Sequence, residues 1–128
     1  MAEIRAVLTL EQDGSALPDM PGVLRFIFNE TSGVIKQSFA PDNNSTSFHA
    51  VVQAIMPNLG FIYIASDQAI NVKLNNDGTT GFPIQAGCAM LLAGTQITQG
   101  TPSNAIQINN PALTGGVTAN VTIFLAGT

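Results

Sequence analysis

Apolar residues in this chain recur chiefly at every second position, and no long stretch free of Gly, Pro or β-branched runs keeps the spacing of a helix. This alternation constrains the fold more than any other feature, because successive side chains of an extended strand leave on opposite faces, and only a sheet with one buried face exploits that. Across residues 117–125, Val117, Ala119, Val121, Ile123 and Leu125 share one face, and Thr118, Asn120 and Thr122 the other. In residues 69–75, Ile70, Val72 and Leu74 alternate with Asn71, Lys73 and Asn75, and residues 105–110 place Ile106 and Ile108 in the same way. Helical periodicity would have to persist for ten or more residues free of Gly, Pro or β-branched runs, and no stretch provides it.

Further strands are expected at Ile4–Leu10, Val23–Asn29, Val34–Phe39, Phe48–Ile55, Phe61–Ala65 and Cys88–Ala93, each short and rich in Val, Ile, Phe or Leu. Turn-forming clusters separate them at 13–22, 29–33, 40–47, 75–81, 99–104 and 110–116. Val51, Val52, Ile55 and Met56 would also line a helix ending before Pro57, but the strand reading is preferred there. Gly81-Phe82-Pro83-Ile84 reads as a bend with an edge-compatible proline. LLAGT at 91–95 and FLAGT at 124–128 echo each other, as two strands ending at equivalent corners would. The expected fold is all-β, an antiparallel, jelly-roll-like β-sandwich forming a single domain over residues 1–128, since parallel βαβ units would need crossover helices.

A chain of 128 residues buries enough surface to fold without a disulfide or metal. Only 9% of residues are charged, against roughly 25% in an average soluble domain. Its polar surface must therefore come from Asn, Gln, Ser, Thr and Gly, a balance suited to being covered by neighbouring molecules. The net charge is −4, and the basic residues Arg5, Arg25, Lys36 and Lys73 are scattered. Direct binding of nucleic acid or of an anionic membrane is not expected, and no stretch reaches the ~18 apolar residues of a membrane span. The N-terminal residues alternate like a strand and lack a signal-peptide pattern, so synthesis in a reducing cytoplasm is the expectation. The sequons at Asn29, Asn44 and Asn120 are then without consequence.

Chemistry has few candidates. His49 is the only histidine and Cys88 the only cysteine. His49 follows Phe48 in an apolar segment and reads as a hydrogen-bonded structural residue; Cys88, between Gly87 and Ala89, reads as a small buried thiol. One Cys and one His cannot furnish a Cys/His zinc site. Asp42-Asn43-Asn44-Ser45 and the 75–81 segment offer oxygens, but neither has the spaced carboxylates of a calcium loop, and Asp77-Gly78 is better read as a hairpin turn. No catalytic, cofactor-binding or metal-binding residue is therefore assigned, and no cofactor. Phe26, Phe28, Phe39, Phe48, Phe61 and Phe124 read as core, which leaves Tyr63 as the one aromatic available to a sugar platform.

The phrases QAINVKLN (68–75), FPIQAG (82–87), MLLAGT (90–95), AIQINNP (105–111) and TANVTIFLAG (118–127) resemble small β-sandwich structural proteins of tailed bacteriophages. The resemblance spans roughly residues 61–128 and carries no diagnostic motif. It implies a non-enzymatic virion protein, foremost a capsid decoration (cement) protein on the outer head surface, assembled in the bacterial host cytoplasm. Its implied partners are itself, as a homotrimer, and the major capsid protein. A tail, baseplate or head-fibre module, or a carbohydrate-binding module, is the alternative.

Overall fold

The computed structural model describes residues 2–9, 11–12, 14–16, 23–51, 58–74, 81–98 and 106–127. Among these residues every regular element is a strand: β1 (Ala2–Thr9), β2 (Glu11–Gln12), β3 (Ser15–Ala16), β4 (Val23–Phe39), β5 (His49–Ala50), β6 (Asn58–Ser66), β7 (Ile70–Leu74), β8 (Phe82–Ile84), β9 (Ala89–Thr98), β10 (Ile106–Asn109) and β11 (Ala119–Gly127). The pairings are antiparallel and build two main sheets, ordered β1-β4-β11-β6-β9 and β5-β10-β7-β8, with β2 and β3 as a separate short hairpin.

The alternation dictates which face each strand buries. Ile62, Ile64, Val121, Ile123 and Leu125 from the larger sheet join Ile70, Val72, Ile84, Ile106 and Ile108 from the smaller in one buried cluster, so the sheets pack face to face on a single core. Each such side chain contributes roughly 1.5–3 kcal/mol by leaving water. Ala119, Val121, Ile123 and Leu125 are inward as the sequence pattern requires. Val117 is not: it precedes β11 and is 63% exposed, because the strand begins two residues later.

β4 overrides a local signal. Its 17 residues run through the turn-like Asn29–Gly33 without a break. The ladder explains this, for Val23–Glu30 lie opposite β1 and Thr31–Phe39 opposite β11, with Glu30 facing Ala2 and Thr31 facing Gly127. Every residue has a partner, and cross-strand hydrogen bonds outweigh the weak turn preference of Asn, Ser and Gly. β1 lies beside only the first half of β4, so the core is enclosed by four strands from each sheet.

The AG echo does not mark two strand ends, since β11 ends at Gly127 whereas β9 runs on past Gly94 to Thr98. β9 and β11 flank β6, and Phe61 of β6 lies opposite both Ala93 and Ala126. Both ladders shift register next to Gly60, so each repeat meets the same bulge from its own side.

Other expectations change. Of the expected Phe48–Ile55 strand, His49–Ala50 forms β5, and residues 52–57 lie outside the described residues. The expected bend at 81–84 holds the three-residue β8 at the sheet edge, where Pro83 removes no ladder bond from a central strand. Gly81 has φ +79, and a Cβ there would stand 2.6 Å from the Val72 carbonyl oxygen, so only glycine lets β8 approach β7. The Asp77-Gly78 turn lies outside the described residues. Cys88 is exposed in the turn before β9, where its N–H donates to Gln85 O at 3.0 Å, and is not a buried strand residue. The phenylalanines divide as well: Phe39 is in the core, Phe48 is half-buried under Lys73 Nζ at 4.4 Å, and Phe61 is buried outside the central cluster.

Candidate functional site

Among the described residues, two features are built from more than core packing: a polar clamp at one end of the sandwich, and the outward face of the larger sheet.

The clamp begins where β10 ends. Continuing the alternation of Ile106 and Ile108 puts Asn110 inward, and it is fully buried, as is Asn109. Asn110 Nδ2 donates to the carbonyls of Phe39 (2.9 Å) and Val117 (3.1 Å), while its Oδ1 accepts from Ala112 N–H (3.2 Å). Asn109 Nδ2 serves Asp42 Oδ2 (3.2 Å), Asn44 O (3.0 Å) and Ser47 O (2.9 Å), and its Oδ1 accepts from Asn71 Nδ2 (2.9 Å). The 42–47 loop folds to meet them. Asn43 has φ 60, and Asn44 Oδ1 accepts from the N–H groups of Thr46 and Ser47 at 2.9 and 2.7 Å, an Asx-type turn. These bonds supply the partners that buried backbone groups of two loops would otherwise lack.

Asp42 is the hub. Its carboxylate accepts from Asn110 N–H (3.0 Å), Asn109 Nδ2 and His49 Nε2 (2.5 Å). The Asp42 side chain is 10% exposed and that of His49 53%. Both border an open groove of about 360 Å³ that is also lined by Gln37, Ser38, Phe39, Ala40 and Pro41. With its oxygens engaged by three donors, Asp42 serves to fasten the loops. Ser38, the hydroxyl in the groove, donates to Asn120 Oδ1 (2.8 Å). Among the described residues no group of three or more His, Cys, Asp or Glu is placed to hold a metal.

On the outward face of the larger sheet, Ser38, Asn120 and Asp67 form a hydrogen-bonded row. Asp67 accepts the backbone N–H of Asn120 on Oδ1 and its side-chain amide on Oδ2, both at 2.8 Å. These bonds, the backbone one foremost, hold the Asp67 carboxyl below its ordinary pKa. A carboxyl whose folded pKa lies below its unfolded one stabilises the fold above about pH 4, and that contribution disappears as pH falls from there toward the folded value. The urea midpoint of the wild type is therefore expected to fall more steeply with acidification below about pH 4 than that of Asp67→Asn. Parallel profiles would show that these bonds carry no charge-dependent stability.

Two rows along the strands, the same face is apolar. Register places Val34 opposite Phe124, Phe124 opposite Tyr63 and Tyr63 opposite Leu91, a line crossing β4, β11, β6 and β9. Val34 is 62%, Tyr63 36% and Leu91 40% exposed, while Phe124 is half-buried against Phe61 with ring centroids 5.7 Å apart. β9 closes this side of the sheet as a ten-residue edge without a charge or proline, the composition of an edge open to pairing.

Comparison of the chain with protein-family models, curated proteins and solved structures finds no match. The sequence singled out His49 and Asp42 without joining them, while Asn109 was read only as part of the alternating 105–110 segment and Asn110 also as the start of the 110–116 turn cluster. Their one signal was an asparagine at an inward position of the alternation. The exposed line escaped notice because its members lie on four separate strands.

Proposed function

We propose that this protein is a non-enzymatic virion structural component, a capsid decoration (cement) protein that lies on the outer surface of a bacteriophage head and ties together the joints between capsid subunits. The observation that carries this reading is the strand order. Counting β4 as the first of eight strands and β11 as the eighth, the core-enclosing strands run first-eighth-third-sixth in one sheet and second-seventh-fourth-fifth in the other. We read that order as jelly-roll connectivity, an architecture shared by viral capsid and lectin domains. Architecture alone does not fix function. The phage-like phrases in residues 61–128 narrow the reading, and so do the low charge and the exposed apolar line, which favour a surface covered by other proteins. A cement protein would bury such surface across capsid joints, so that opening the shell has to break additional contacts.

Copy number per particle tests the proposal. Quantitative mass spectrometry and imaging of virions assembled with this chain should find it in hundreds of copies distributed over the head. A few copies confined to the tail would replace this reading with a tail or baseplate module, and glycan binding by particle-free protein would replace it with a carbohydrate-binding one.

A further inference from the structure

We infer that the outward face of β4-β11-β6-β9 is a self-complementary surface through which two copies of this chain pack face to face about a two-fold axis. The inference rests on the assembly reading above and names the surface and the partner. Three adjacent rows cross the face: Val34, Phe124, Tyr63 and Leu91; Lys36, Thr122, Ala65 and Ala89; and Ser38, Asn120 and Asp67. Within these rows Lys36 is the one cation and Asp67 the one carboxylate, and they sit on opposite sides of the midline between β11 and β6.

A two-fold axis parallel to the strands and running along that midline exchanges the sides. Val34 then meets Leu91 of the second copy, Phe124 meets Tyr63 and Asn120 meets Asp67. Lys36 falls one strand and one row from Asp67 of the second copy, an in-plane offset of about 8 Å that a lysine side chain spans. Both ion pairs form at once because the contact is isologous. The strands of the two copies run in nearly the same direction, the alignment that sheets adopt when they stack about 10 Å apart. A partner of different sequence would have to reproduce both the apolar line and the charge pair; a second copy does so by symmetry.

The rows cover roughly 400 Å² on each copy by strand spacing. Since a standard interface uses about 800 Å² per partner, an isolated pair binds weakly and transiently. Where many copies are held close together, as on a shell, effective concentration makes the contact significant.

Sedimentation of the purified chain from about 10 µM to 1 mM, the concentrations at which weak pairs populate, should show a doubling of mass. Val34→Lys, Lys36→Asp and Asp67→Lys should each weaken the doubling about tenfold or more, as expected when a cross-interface contact becomes a repulsion. An equimolar mixture of Lys36→Asp and Asp67→Lys should restore it, because the heterodimer contains both opposite-charge pairs. If circular dichroism shows that Asp67→Lys does not fold, relief of the Lys36→Asp defect by about 0.5 M salt takes its place. A wild type that shows no doubling at 1 mM overturns the inference, and so does a mixture that fails to recover. In either case, hundreds of copies on the virion head would leave the decoration reading intact and assign this face to a different protein.

Discussion

Replacing Asn110 with leucine should lower stability by about 4 kcal/mol, the upper range for single substitutions. Leucine keeps the branched skeleton of asparagine, with bulkier methyl ends, but can neither donate to the Phe39 and Val117 carbonyls nor accept from Ala112 N–H. All three groups would be stranded at a position with no solvent exposure. An unsatisfied buried group costs roughly 1–3 kcal/mol, and partial relaxation of the 110–117 loop toward water keeps the total below the simple sum. Urea unfolding monitored by circular dichroism should show the midpoint falling by about 2 M, given a slope near 2 kcal/mol/M for a chain of this size. Asn110→Asp, which keeps the acceptor but removes the two donors, should be intermediate at acid pH, where the protonated acid restores one donor, and worse near neutrality. A leucine variant within about 0.5 kcal/mol of wild type would mean that the loops are held by something other than this clamp.

Ile123→Ala should cost about 3–4 kcal/mol, while Thr122→Ala, one residue away, should stay within about 0.5 kcal/mol. Ile123 lies opposite Ile35 and Ile64 on the central strand of the larger sheet and has no exposure, so truncation leaves a cavity that neighbours on both sides resist filling. Thr122 lies opposite Lys36 and Ala65 on the outward face, half-buried. The contrast is a direct test of register, because a slip of one residue would reverse the two effects. Comparable losses from both variants would mean that the sheet has a different inward face.

Most of the fold was legible before any coordinates. Period-two alternation named β7, β10 and β11 and chose the inward residues Ile70, Val72, Ile106, Ile108, Val121, Ile123 and Leu125, because side-chain parity along a strand is a local property. Boundaries were less legible. Val117 continues the alternating pattern but precedes the strand, and Asn29–Gly33 has turn composition but lies within one. In both cases the decision belonged to a partner strand far away in sequence.

The candidate site was barely legible. Asp42, His49, Asn109 and Asn110 were each visible as residue types, yet the hydrogen bonds joining them span up to 68 positions. The line Val34, Phe124, Tyr63, Leu91 draws one residue from each of four strands, so no window of sequence contains it. The sequence by itself determined that the chain is made of strands, which face of the best of them is buried, and that its polar surface is almost without charge. Only the tertiary structure decided which strands are neighbours and in what register, and with that which polar groups clamp the loops and which apolar residues meet on the outward face. The physical reason is that alternation is written residue by residue, whereas register depends on the free energy of the whole sheet.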